Sequence, residues 1–356
     1  MGDAGQVGSS RRTFLGAAAA LVLQGLPAPR GSAGCFSLAS AAPAGGSKVP
    51  GNGETRGDGE TPGAALRPKA FKISLTQGSL HRELLASRLD PLDFAKVANG
   101  FGIDAIEYVS QFFPGKGAGN KAFLSELKRR AAGEGVASLL IRVDGEADLG
   151  AAARKARQRA VDSYKKWVDA AAFLGCHAIR VDASPAGGRG SEDERTNWVS
   201  DGLHRLAEFS DGRGIDVLVE NQGGLSSKGS WLTEVLSAVK HPRCGSAPDF
   251  GGFDLVPASA GTTAVGAAYD RYKGVRELMP FARAVSARAW DFDPRGDETK
   301  INYGQMLEIV TSAGYHGYVG IAYTGDRLSE RAGIERAKLL LERVREQLST
   351  RAERRG

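Results

Sequence analysis

The 356-residue sequence predicts a single (β/α)8 barrel preceded by an export signal and a flexible linker. Three observations carry that expectation. Between residues 70 and 347, short runs of β-formers alternate with amphipathic helical stretches eight times. Several of the runs are apolar without a break, as in Val217-Leu218-Val219, which reads as a strand buried on both faces of a parallel sheet. Polar and ionisable residues gather where these runs end, and the C-terminal ends of barrel strands are where such folds keep their chemistry. A doubly wound open sheet would carry a Gly-rich phosphate turn after its first strand. Gln77-Gly78-Ser79-Leu80 is not that turn.

In chain order, the strands are expected at Phe71–Leu75, Ala105–Val109, Val136–Val143, Ala178–Asp182, Asp216–Glu220, a short segment before Pro248, Ala284–Ala289 and Tyr318–Tyr323. The helices between them are expected at about 90–101, 120–134, 151–174, 192–213, 231–239, 269–278 and 301–313, with a closing helix over 328–347. Pro91 behind Asp90 is a helix start, because Pro suits the first turn and Asp caps it. Phe123, Leu124 and Leu127 share one helical face.

Ahead of the barrel, Ser9-Ser10-Arg11-Arg12-Thr13-Phe14-Leu15 runs into the apolar stretch Gly16–Leu23. Paired arginines before a modest apolar segment mark a twin-arginine export signal over residues 1–41, with Ala39-Ser40-Ala41 as the cleavage pattern. The apolar stretch is too short to span a bilayer. The expected location is therefore periplasmic or extracellular, with no transmembrane helix. Ser32-Ala33-Gly34-Cys35 resembles a lipobox with Ser32 in place of a large aliphatic residue, which leaves a lipid anchor at Cys35 open. Residues 42–69 are Gly, Pro, Ala, Thr and charge; they lack the apolar surface to offset their ordering entropy and are expected to be a disordered linker. Residues 348–356 are expected as a basic C-terminal tail.

The net charge of +6 lies largely in the tails, at Arg11, Arg12, Arg30, Arg351, Arg354 and Arg355. It therefore reads as solvated ends, and no nucleic-acid partner is expected. Cys35, Cys176 and Cys244 make no disulfide framework. Cys176 and Cys244 read as small buried residues, although spacing alone leaves a bridge between them open.

The mouth of the expected barrel carries Gln77 and His81 after the first strand, Glu107 and Gln111 around the second, and Arg142 and Asp144 after the third. Arg180 and Asp182 close the fourth strand, Glu220, Asn221 and Gln222 the fifth, and Asp249 the sixth. Ser286, Arg288, Asp291 and Asp293 surround the seventh, and Tyr323 and Asp326 the eighth. Converging acids suit a divalent cation with oxygen ligands; the arginines suit an anionic or polyhydroxyl substrate. Glu220 and Asp249 stand out, because each ends a buried strand and is followed by glycines that let a backbone approach a ligand.

These residues carry a resemblance. The stretches Ser79-Leu80-His81-Arg82, Ile103-Asp104-Ala105-Ile106-Glu107-Tyr108-Val109, Leu140-Ile141-Arg142-Val143-Asp144-Gly145, Val219-Glu220-Asn221, Pro248-Asp249-Phe250-Gly251, Val285-Ser286-Ala287-Arg288 and Ala313-Gly314-Tyr315-His316-Gly317 resemble the sugar phosphate isomerase/epimerase superfamily of xylose isomerase-like TIM barrels. The likeness covers residues 71 to about 343. It implies a divalent metal (Mn²⁺, Mg²⁺, Zn²⁺ or Co²⁺) held by Glu, Asp, His and a second Glu at the ends of strands five to eight, with the two Glu residues exchanging a proton beside the sugar carbonyl. By that pattern Glu220 is a metal ligand and general base and Asp249 a metal ligand. Arg288 is expected to act in catalysis, and His81, Glu107, Arg180, Asn221 and Asp291 are expected to contact substrate. The His position falls on Ser286 and the second Glu position on Ala322, where neither ligand type remains.

Three readings follow from these residues. The first is a sugar isomerase or epimerase with metal-assisted proton transfer. The second is a keto-sugar lyase on the same barrel, for which one base suffices. The third is a carbohydrate-binding barrel that has lost its metal site. The metal-dependent nucleases that share this barrel are rich in histidine; here only His81 is expected near the mouth. The oligomeric state is open.

Overall fold

A computed structural model describes residues 70–115, 117–183, 190–255 and 268–353. The export signal, the linker, Cys35 and the cleavage site lie outside the described residues, as do 354–356. Eight parallel strands form one sheet: β1 Lys72–Thr76, β2 Ala105–Val109, β3 Ala137–Arg142, β4 Ala178–Asp182, β5 Asp216–Glu220, β6 Cys244–Ser246, β7 Val285–Ala289 and β8 Tyr318–Tyr323. Their order is β6-β5-β4-β3-β2-β1-β8-β7. The ends of that row meet through parallel bridges at Ser246–Ala282 and Asp249–Ser286. The Arg283 N–H donates to the Ser246 carbonyl at 3.0 Å, the Ser286 N–H to Pro248 at 2.9 Å, and the Phe250 N–H to Ser286 at 3.0 Å. The sheet is thereby a closed (β/α)8 barrel, as the sequence predicts.

The helices are α1 His81–Leu85, α2 Phe94–Gly100, α3 Lys121–Gly133, α4 Arg154–Leu174, α5 Glu192–Asp211, α6 Gly229–Val239, α7 Arg271–Leu278, α8 Tyr303–Ser312 and α9 Glu330–Glu353. Local chemistry sets their ends. Ser191 and Glu194 cap α5 reciprocally, through Glu194 N–H to Ser191 Oγ at 3.2 Å and Ser191 N–H to Glu194 Oε2 at 2.8 Å. Gly175 ends α4 in the left-handed region at φ 83°, which costs glycine little. Two expectations are corrected. Asp90 and Pro91 start a 3-10 turn over Pro91–Asp93, and α2 begins only at Phe94. The closing helix runs to Glu353, so most of the expected basic tail is helical. Among the described residues no helix is long and apolar enough to cross a membrane. Cys176 and Cys244 are both free thiols, and burial pushes the Cys244 thiol up to about 12.

The main core lies between sheet and helices, with Phe71, Phe94, Val168, Trp231, Leu232 and Leu341 fully or almost fully buried. A second, small apolar cluster fills the barrel itself: Leu140, Ala178, Leu218, Ala247 and Ala284. Strand side chains alternate between faces, so the residue two positions on points the same way. Two positions on from those five stand Arg142, Arg180, Glu220, Asp249 and Ser286. The barrel interior thus changes from an apolar plug to a charged layer in one step toward the C-terminal ends of the strands. At the other end, two positions before Leu218, Asp216 closes the barrel by pairing with Arg283 at 2.7 Å and Arg243 at 3.3 Å.

Candidate functional site

The charged layer above the plug brings residues from six strands together. Glu220 is 1% exposed and lies among three guanidinium groups: Arg142 Nε at 3.4 Å, Arg180 Nε at 3.5 Å and Arg288 Nη2 at 3.8 Å. Neither carboxylate oxygen of Glu220 has a hydrogen-bond partner among the described residues, and Nε of both Arg142 and Arg180 is likewise buried without one. The attraction in this cluster is thus charge without aligned hydrogen bonds. Buried donors and acceptors left in that condition are costly, about 1–3 kcal/mol each and more when charged.

Asp249 presents the opposite case. Its carboxylate accepts two hydrogen bonds from one edge of a guanidinium, Arg288 Nε to Oδ1 at 2.8 Å and Nη2 to Oδ2 at 2.9 Å. The Ser286 hydroxyl donates to Oδ2 at 2.7 Å and the Gly251 N–H to Oδ1 at 2.8 Å. Burial alone would raise the Asp249 carboxyl, but the Arg288 charge and these hydrogen bonds outweigh it and hold the group below its ordinary value. Arg288 is raised by the same pairing against the opposing pull of burial. Glu107, also buried, accepts from Ser74 Oγ at 2.8 Å and faces Arg180 Nη1 at 3.9 Å. Its carboxyl is raised by burial, which exceeds the lowering by Arg180 and Ser74.

Of the residues assigned to the site from sequence, Glu220, Asp249, Arg288, Arg180 and Glu107 form one contiguous cluster. Asn221 joins it in a different role. Both ends of its amide serve the Asp249 backbone, with Asp249 N–H to Oδ1 at 2.7 Å and Nδ2 to the Asp249 carbonyl at 3.0 Å. Asn221 therefore positions Asp249. His81 stands apart: Nδ1 lies 3.0 Å from the Gly78 carbonyl and 3.2 Å from Glu330, whose carboxylate also accepts the N–H groups of Arg82 and Glu83. That arrangement ties α1 to α9. Asp291 pairs with Arg327 at the rim.

Two members of the cluster were visible at the mouth in the sequence but unassigned. Arg142 reaches Glu220, Asp144 at 3.0 Å and, through Nη2, Gln222 Oε1 at 2.5 Å. Asp182 is the register partner of Glu220 across β4 and β5. Burial raises its carboxyl to about 6, with the Glu220 charge adding and Arg142 opposing. Arg142 follows the plug residue Leu140 by two positions and Asp182 follows Ala178 by four, so the same strand alternation finds both.

The Asp182 shift has a testable consequence. A carboxyl whose folded value lies above its unfolded value of about 3.9 binds a proton more tightly when folded. It contributes its full stability below that unfolded value and loses it as pH rises through about 6. Asp182→Asn removes the charge, so it is expected to stabilise the protein by about 1–3 kcal/mol at pH 8 and by little at pH 4. Thermal melts of both proteins across that range check this; a gain independent of pH would contradict it.

Residues 95–345 match the family model described as xylose isomerase-like TIM barrel. The chain belongs to that family. Solved structures agree on the fold. An L-ribulose 3-epimerase superposes with a TM-score of 0.60 at 14% identity, covering 80% of this chain and 97% of that one. The D-psicose 3-epimerase from Clostridium cellulolyticum H10, solved with D-tagatose, gives 0.59 at 13% identity over 77% and 99%. The 3-keto-D-glucoside 4-epimerase from E. coli, in its apo form, gives 0.57 at 13% identity over 76% and 99%. A comparison of the sequence with curated proteins gives no match.

The divalent metal that the family resemblance implies can be tested against the donors present. Both oxygens of Asp249 are committed to Arg288, Ser286 and Gly251. The other expected ligand, Glu220, faces three cations. Ser286 and Ala322, on which the resemblance places the remaining two ligands, offer neither an imidazole nor a carboxylate. Among the described residues no group of three or more His, Cys, Asp or Glu side chains is arranged to hold an ion. This donor set does not fit a divalent metal.

Proposed function

We propose that the barrel mouth binds a neutral sugar or keto-sugar, and that the protein is an isomerase- or epimerase-like member of its family in which side chains alone move the proton beside the carbonyl. The observation that carries this reading is the unsatisfied set around Glu220: two acceptor oxygens beside the Nε donors of Arg142 and Arg180. A hydroxyl is donor and acceptor at once, so vicinal hydroxyls match such a set better than an anion does. The charge balance supports the same choice. Arg142, Arg180 and Arg288 face Glu107, Asp144, Glu220 and Asp249, so three cations meet four acids and no excess positive charge awaits a phosphate.

Asp182 suits proton exchange, because a general base works best with a pKa near the working pH and this carboxyl stands at about 6. Glu220, beside it in register, would orient the sugar hydroxyls. The structurally similar epimerases are a D-psicose 3-epimerase, an L-ribulose 3-epimerase and a 3-keto-D-glucoside 4-epimerase, which supports the substrate class without naming a substrate.

The test incubates the full chain with ketopentoses, ketohexoses and keto-glycosides in D₂O and follows the proton beside the carbonyl by NMR, with calorimetry for binding. Exchange is expected in wild type, and a loss on the order of 100-fold in Asp182→Asn. Glu220→Gln is expected to weaken binding about tenfold or more. Absence of both binding and exchange across the panel would sink the reading. Binding without exchange would favour the carbohydrate-binding alternative, for which the closed Asp249–Arg288 clamp speaks.

A further inference from the structure

The two acids that the family pattern assigns to a metal, Glu220 and Asp249, already share a cation. Arg288 Nε and Nη2 grip both oxygens of Asp249 at 2.8 and 2.9 Å, and the same Nη2 lies 3.8 Å from Glu220 Oε1. We propose that the Arg288 guanidinium is the permanent cation of this barrel, built into the chain in place of an exchangeable divalent ion.

Three neighbouring positions form one compensating set around it. Ser286 and Arg288 are two apart on β7 and so point the same way. Ser286 spends its hydroxyl on Asp249 Oδ2. It thus helps hold the acid that the guanidinium grips, where an imidazole in its place would compete for that acid's surroundings. Ala322 is the register partner of Arg288 across β7 and β8, and its methyl leaves the width that a long arginine needs. A glutamate there would put a further carboxylate beside the guanidinium. Gly251 makes the remaining room: a Cβ on it would lie 2.6 Å from Arg288 Cδ and 2.4 Å from Trp290. The Tyr303 hydroxyl, donating to the Arg288 carbonyl at 2.8 Å, fixes the backbone beneath.

The physical difference from a divalent ion is directional. A guanidinium offers planar N–H donors with fixed geometry and a single charge; it has no open coordination position and cannot be removed by a chelator. A divalent ion could reach Asp249 only by breaking a bidentate, buried pair and leaving Arg288 uncompensated beside a second positive charge. The inference goes beyond the sugar reading, and its test needs no sugar.

Wild-type protein produced with added Mn²⁺ and Zn²⁺ is expected to carry far less than one equivalent of either ion by elemental analysis. Its melting temperature should be indifferent to both ions and to a chelator. Arg288→Ala leaves Asp249 and Glu220 without their shared cation, and this variant is expected to melt lower than wild type and to regain at least about 3 °C on addition of millimolar Mn²⁺ or Zn²⁺. One equivalent of ion in wild type, lost in Asp249→Asn, overturns the proposal. A folded Arg288→Ala variant with no response to either ion overturns it as well. Should Arg288→Ala fail to fold, the wild-type ion content and chelator response still decide between the two outcomes.

Discussion

Asp249→Ala is expected to destabilise the barrel by about 3–5 kcal/mol, because it strands Arg288 as an uncompensated cation in the charged layer. At about 2–4 °C per kcal/mol for a domain of this size, the melting temperature should fall by roughly 6–20 °C. The side chain removed is fully buried and joins two parts of the wall: β7 through Arg288 and Ser286, and its own loop through Gly251. Truncation leaves the Ser286 hydroxyl and two guanidinium donors without their acceptor. The decisive comparison is the double variant Asp249→Ala/Arg288→Met. If the loss comes from the orphaned charge, removing the cation too should recover a large part of it, since replacing a buried ion pair by apolar groups is often near neutral. Denaturant melts of both singles and the double give the coupling energy. Simple addition of the two single losses would show that the pair is not the cause.

That pair also marks where the sequence stops being legible. β2, β4, β5 and β8 have the bounds their apolar runs imply, because a strand buried on both faces can contain little else. The acids and arginines of the mouth were legible too, since strand ends are where an apolar run breaks. What could not be read is which charge meets which. Asp249 and Arg288 are 39 residues apart, and only the closure of β6 against β7 sets them face to face. In the sequence Arg288 reads as a group facing substrate; in the fold it is spent on Asp249. Asn221 shows the same limit, because an amide at a strand end suits a ligand and a neighbouring backbone equally well. His81 differs again: its partner Glu330 comes from α9, and no pattern within the first strand–helix unit announces that contact. Arg142 and Asp182 were within reach, since they follow the plug residues Leu140 and Ala178 by two and four positions and so share their face of the strand. In sequence, however, a strand-end ion pair and a site residue look alike until Glu220 is placed beside them.

The second large effect is expected at Gly252, where the chain after β6 presses against the end of β5. A Cβ there would sit 1.8 Å from the Asn221 carbonyl oxygen and 2.9 Å from Asn221 Nδ2. The first neighbour is backbone, which cannot swing aside as a side-chain tip can. Relief requires the Asp249–Gly252 segment to move away from β5, and that movement pulls on the two hydrogen bonds between Asn221 and the Asp249 backbone. Gly252→Ala is therefore expected to cost about 3 kcal/mol, the upper end of ordinary overpacking. It should also weaken the sugar binding proposed above, because Asp249 holds Arg288 in the cluster. Gly320→Ala makes a graded comparison: its Cβ would meet the Glu107 carboxylate at 2.2 Å, a side-chain tip with some freedom to yield, so a smaller loss is expected. Gly212→Ala is the control. Nothing lies within 4 Å of its Cβ, and its φ of −62° suits any residue, so the change should be neutral or stabilise by up to about 1 kcal/mol. Thermal and denaturant melts of the three variants should rank them Gly252, Gly320, Gly212 from most to least destabilised. A Gly252→Ala protein as stable as wild type would mean that the β5 and β6 ends are not in the close contact that builds this site.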